Sequence, residues 1–151
     1  MDSLDVGGCA MPNERPRIRL VLADDHADVL EEIQRLLAPQ FDVLRAVRNG
    51  PALIEAVAEL RPDAVVSDFQ MPGLNGIEAG AQILQQGLCK AVVLLTMYNE
   101  PLLLNQALAA GIRGFVLKVD GGEELIPALY EVMGGGRYLS QGVVNKSREG
   151  R

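Results

Sequence analysis

The chain has no tryptophan, and aromatic residues make up only 4% of its 151 residues. A base-stacking surface for single-stranded nucleic acid needs more aromatic rings than that. Positive charge is also short: 14 lysines and arginines face 20 aspartates and glutamates, for a net charge of −6. Direct contact with a phosphate backbone requires a basic face, so nucleic-acid binding by this chain is disfavoured. There are two cysteines, Cys9 and Cys89, far apart in different contexts. They form neither a disulfide framework nor a zinc-ligand spacing. His26 is the only histidine and has no soft partner for a metal. No apolar run reaches the roughly 18 residues of a membrane span. Asp2 and Asp5 stand where a signal peptide would carry positive charge. These absences predict a cytoplasmic protein with no membrane contact.

What is present is a hydrophobic fraction of 48%, enough for one full core in a single domain. Residues 1–17 mix glycine, proline and scattered charge without periodicity and read as a flexible leader. From Ile18, short apolar runs alternate with segments of helical spacing. The runs are Ile18–Ala23, the half-polar Asp42–Val47, Ala64–Val66 leading to Asp68, Ala91–Leu95 and Gly114–Leu117. Between and after them lie five helical stretches punctuated by Pro39, Pro62, Gly87, Gly111 and Gly134. The last runs from about Gly122 to Met133, and Pro127 within it predicts a kinked or loosened start. The stretch from Arg137 to Arg151 reads as polar and mostly irregular, and 140–151 as a tail or the start of a linker.

Repeated strand–helix alternation implies an α/β fold, a parallel sheet covered by helices on both faces. In such a sheet the carboxyl ends of all strands share one edge, where ligands bind. Asp24 and Asp25 end the first strand, Asp68 the third, Thr96 the fourth and Lys118 the fifth. Three acids gathered there repel one another unless a cation joins them. An oxygen-rich, sulfur-free set suits a hard divalent ion, and Mg²⁺ is the usual choice beside phosphate. The competing reading makes Asp24 or Asp25 a helix N-cap. Lys118 offers an ammonium and Thr96 a hydroxyl to an anion, and Asp68 is a carboxylate able to form an acyl phosphate.

Asp24-Asp25, Ser67-Asp68-Phe69-Gln70-Met71-Pro72-Gly73 with Asn75-Gly76, Thr96, and Gly114-Phe115-Val116-Leu117-Lys118 are five spaced elements in one order. Across 18–139 the chain resembles the receiver domain of bacterial two-component response regulators. Asp24-Asp25-His26, the absence of proline after Lys118 and Gly-Gly-Arg-Tyr-Leu-Ser near the end resemble the nitrate-regulator and quorum-sensing-regulator subfamily with a helix-turn-helix output domain. The resemblance implies a flavodoxin-like, doubly wound sheet of five parallel strands in the order 2-1-3-4-5 with five helices. It implies phosphorylation of Asp68 by a sensor histidine kinase. Mg²⁺ would be held by Asp24, Asp25, Asp68 and the main-chain carbonyl of Gln70. Thr96 and Phe115 would be the switch pair, Phe115 turning inward as Thr96 moves toward the phosphoryl group. It further implies homodimerisation on phosphorylation and control of transcription through a DNA-binding domain outside this sequence. A stand-alone receiver acting by protein contact is the alternative. An aspartate-nucleophile phosphatase fits less well, because it needs a second acid where Gln70 stands. The resemblance implies no enzyme activity beyond the domain's own phosphoryl transfer and autodephosphorylation. His26 is expected on the solvent side of the acid pair, and Leu102, Leu103 and Leu104 cannot all face one core.

Overall fold

The computed structural model describes residues 17–140. The leader and the tail beyond Ser140 lie outside them. In chain order the elements are β1 (Arg19–Ala23), α1 (Ala27–Leu37), β2 (Asp42–Val47), α2 (Gly50–Leu60), β3 (Ala64–Asp68), α3 (Gly76–Gln85), β4 (Ala91–Thr96), α4 (Pro101–Ala109), β5 (Gly114–Leu117), a 3₁₀ turn (Lys118–Asp120), α5 (Gly121–Met133) and β6 (Tyr138–Leu139). All strand pairs are parallel, and the order is β2-β1-β3-β4-β5-β6. The expected flavodoxin-like order is therefore present, extended by one short strand.

Period-two alternation along the strands sorts the core into two layers. Val21, Val65, Val92, Leu94 and Phe115 pack on one face with Leu53 and Val57 of α2, Ile83 of α3 and Leu104 of α4. Leu20, Leu22, Val66, Val93, Leu95 and Val116 pack on the other with Leu30 and Ile33 of α1 and Leu125 and Leu129 of α5. β3 and β4 are buried along their whole length, which is why they read as unbroken apolar runs. β2 is an edge strand and is correspondingly half-polar, with two exposed positions.

Local chemistry fixes the helix starts. Asn49 caps α2 by accepting the Ala52 N–H at 2.7 Å, with Pro51 in the first turn. Asn75 and Glu78 form a reciprocal capping box at α3. The N-cap of α1 is His26, not an aspartate, and its side chain makes no cap bond. The capping alternative for the acid pair is thus absent. Asp24 Oδ1 instead accepts the His26 N–H at 2.9 Å.

Two expectations concern the last segment. α5 runs unbroken from Gly121 through Pro127 to Met133. Pro127 lies on the exposed side, while Leu125, Ala128, Leu129 and Val132 clamp the opposite side to the sheet. The carbonyl left without its helical donor belongs to exposed Glu123, where water can serve it. The segment from Arg137, expected to be mostly irregular, holds a short strand. Tyr138 and Leu139 pair with Gly114 and Phe115, and Ser140 is fully buried. Of the three adjacent leucines, Leu103 and Leu104 are buried and Leu102 is 69% exposed.

Candidate functional site

The β3–α3 turn presents the central carboxylate. It needs glycine twice. Gly73 has φ +87°, a left-handed conformation that side chains resist. At Gly76 an added Cβ would collide with the Asp68 carbonyl oxygen and lie 2.8 Å from Leu94 Cδ1. With no side chain there, the Gly76 N–H donates to the Phe69 carbonyl at 2.7 Å and the helix starts directly beneath Asp68.

β1 and β3 are neighbours, with Ala23 opposite Ser67. Their ends therefore bring Asp24, Asp25 and Asp68 together. Ligand atoms of these three acids and of His26 all lie within 4.8 Å of one another. Asp24 has no exposed surface and Asp68 is 5% exposed. Lys118 reaches in from the end of β5. Its Nζ lies 3.0 Å from Asp24 Oδ2 and 3.4 Å from Asp68 Oδ2. His26 sits on the outside, 65% exposed, with Nδ1 3.0 Å from Asp25 Oδ1 and 3.3 Å from Asp24 Oδ1. That is the solvent-side position expected of it.

The electrostatics show that one ammonium is too little for this cluster. Burial pushes the Asp68 carboxyl above its ordinary value, Asp24 pushes it further, and Lys118 only partly offsets them. Burial acts to lower Lys118, but its contacts with Asp24 and Asp68 outweigh that and hold the ammonium above its ordinary value. Asp24 Oδ2 and Asp25 Oδ1 are buried yet receive no hydrogen bond of good geometry, although Lys118 Nζ and His26 Nδ1 each stand 3.0 Å away. These two buried carboxylate oxygens beside a third acid, with no thiolate among them, fit a hard cation with oxygen ligands. The acidic cluster can therefore bind a metal ion.

Thr96 ends β4, fully buried, next to the strand that carries Asp68. Its Oγ1 accepts the Tyr98 N–H at 3.0 Å. Phe115 is 1% exposed and packs in the same layer as α2–α4, so its ring is already inward in this structure. Gln70 projects to the surface, where its Oε1 accepts the Tyr98 hydroxyl at 2.9 Å. Tyr98 also meets Phe69 edge-on, with ring centroids 6.2 Å apart. This clasp joins the loops after β3 and β4. Nothing in the sequence marks Tyr98 beyond its place two residues after Thr96.

A family model described as the response regulator receiver domain matches residues 20–130. The chain belongs to that family. Curated receivers similar to it include the transcriptional regulatory protein DegU of Brevibacillus brevis, 31% identical over 82% of this chain and 53% of its own length. The response regulator GacA of Pseudomonas aeruginosa is 33% identical over 82% of this chain and 58% of its own. The nitrate/nitrite response regulator protein NarL of Escherichia coli is 31% identical over 87% of this chain and 61% of its own. This receiver chain thus spans little more than half the length of such relatives. Among solved structures, a two-component response regulator of the LuxR family from Aurantimonas sp. SI85-9A1 superposes with a TM-score of 0.83 at 30% identity, over 90% of this chain and 99% of that one. Similarity to the NarL, LuxR and DegU regulators agrees with the subfamily resemblance in the sequence. Among the described residues, no helix is long and apolar enough to cross a membrane.

Proposed function

We propose that this receiver is a phosphoacceptor switch in which a partner histidine kinase transfers a phosphoryl group to Asp68. The observation that carries the reading is the convergence of Lys118 Nζ on Asp24 Oδ2 and Asp68 Oδ2, at 3.0 and 3.4 Å, from a different strand. Asp24, Asp25, Asp68 and the main-chain carbonyl of Gln70 would hold Mg²⁺. Bound there, it supplies charge neutralisation at the acids and at the oxygens of the transferring group. In the transfer, an Asp68 carboxylate oxygen attacks phosphorus in line. The phosphorus–nitrogen bond to the kinase histidine breaks as the acyl phosphate bond forms. Lys118 then pairs with a phosphoryl oxygen in place of the Asp68 oxygen it now faces. Thr96 moves toward the group and donates its hydroxyl proton to another oxygen, a proton that accepting the Tyr98 N–H does not occupy. Phe115 occupies the space beside Thr96.

The chain works as a signalling element in the cytoplasm rather than as a turnover enzyme. Its own chemistry is limited to accepting the phosphoryl group and losing it to water. A phosphatase reading is weakened by Gln70, an amide tied to Tyr98 where a second acid would be needed. Phosphorylation drives homodimerisation and controls transcription through a DNA-binding domain outside this sequence. NarL and DegU are named as response and transcriptional regulators, which supports a transcriptional output. The test is incubation with Mg²⁺ and acetyl phosphate. Wild type should gain the mass of one phosphoryl group, and Asp68→Asn should gain none. Labelling of Asp68→Asn to the wild-type extent would defeat the assignment.

A further inference from the structure

We propose that Ser140 is a positioning residue that aims Lys118 at Asp68. The inference rests on the phosphoacceptor reading of the site and adds to it a residue at the outer edge of the sheet. Besides the strand pairing itself, hydrogen bonds at both ends tie the segment after α5 to β5 and to Arg113 before it. The Tyr138 N–H donates to the Arg113 carbonyl and the Ser140 N–H to the Phe115 carbonyl, both at 2.9 Å. Another is different in kind: the Leu117 N–H donates to Ser140 Oγ at 2.9 Å. A side-chain hydroxyl stands where a longer β6 would offer a main-chain carbonyl.

Ser140 has no exposed surface, and the Leu117 amide is buried with it. A buried amide left unpaired is costly, so the strand end would shift to find another acceptor. Leu117 is the last residue of β5 and covalently precedes Lys118, where the chain turns into the 3₁₀ helix. The opposite edge of β5 is held by β4, with Thr96 beside Leu117. Ser140 therefore closes the outer side of the short segment from which the lysine departs. The ammonium must meet two buried carboxylates at 3.0 and 3.4 Å, a geometry that tolerates little drift in its support.

Loading the site should depend on this bond more than metal binding does, because Lys118 pairs with the incoming anion whereas the cation is held by residues of β1 and the β3–α3 loop. The phosphoryl mimic beryllofluoride is the probe. Titration of the wild-type chain with beryllofluoride and Mg²⁺, beside Asp68→Asn, comes first. Failure of wild type to bind, or binding by Asp68→Asn, overturns the phosphoacceptor reading before any Ser140 variant is made. With that control passed, Ser140→Ala and the near-isosteric Ser140→Cys should bind beryllofluoride about tenfold more weakly, about 1.4 kcal/mol. Their affinity for Mg²⁺ alone should not fall below the wild-type value, since a displaced ammonium competes less for the same oxygens. Unchanged beryllofluoride affinity, or an equal loss for both ligands, overturns the positioning role. If the variants do not fold, amide exchange at Leu117 in the wild-type chain decides. It should slow when beryllofluoride is bound, and an unchanged rate overturns the inference.

Discussion

Replacing Lys118 with methionine keeps an unbranched apolar stem and removes the ammonium that sits between two buried acids. Asp24 has no exposed side-chain surface, Asp68 has 6% and Lys118 has 16%. At 3.0 and 3.4 Å, an effective dielectric of about 20 gives gross attractions of about 5 kcal/mol each. Dehydrating the ammonium offsets much of this, and stripping one partner from a buried pair costs about 3–5 kcal/mol. We take about 3 kcal/mol for Lys118→Met, since Asp68 can relieve itself by taking up a proton. At about 2–4 °C per kcal/mol for a chain of this size, the melting temperature without divalent metal should fall by about 6–12 °C. Mg²⁺ should restore more of the stability in the variant than it adds to wild type, because the ammonium no longer competes for the same oxygens. Thermal unfolding by circular dichroism, in chelator and in millimolar Mg²⁺, reads both effects. A variant as stable as wild type in chelator, or an equal gain from Mg²⁺ in the two proteins, would refute the electrostatic account of the cluster.

Other substitutions test separate parts. Because burial and Asp24 raise the Asp68 carboxyl above 3.8, its ionisation weakens the fold. Asp68→Asn should therefore be more stable than wild type at neutral pH without metal, and the gain should shrink as pH falls through the raised value toward 3.8. Denaturant midpoints across that range check the sign. Gly76→Ala drives a methyl group into the Asp68 carbonyl and should cost about 1–3 kcal/mol while weakening Mg²⁺ binding, measured by melting and titration. Pro127→Ala restores an N–H donor to the Glu123 carbonyl at an exposed helix position and should raise stability, by about 1–3 kcal/mol, in urea unfolding.

The four inner strands were legible because burial on both faces makes them unbroken apolar runs, each ending at a residue of the site. Parallel alternation then forced Asp24, Asp25, Asp68, Thr96 and Lys118 to one edge before any contact was known. β6 escaped notice for a physical reason. A two-residue strand has no period, and its stability comes from β5 and the Ser140 hydroxyl rather than from its own side chains. The Tyr98–Gln70 clasp is equally tertiary: it joins residues 28 apart in sequence, through side chains that are common on any surface. Pro127 pointed to a loosened helix start, because local propensity sees only the lost donor. Four buried side chains on the other face hold the turns in place. His26 emerged as the cap residue of α1 because Asp24 is turned toward Lys118 and Asp25 toward the His26 ring.

The measurement closest to the central claim is the intact mass of the protein after acetyl phosphate treatment with Mg²⁺, followed by localisation of the modified residue. The account predicts one phosphoryl group on Asp68, released by base and by hydroxylamine as an acyl phosphate is, lost in Asp68→Asn and lost when the metal is chelated. A phosphoryl group on another residue, or labelling that proceeds equally in chelator, would contradict it.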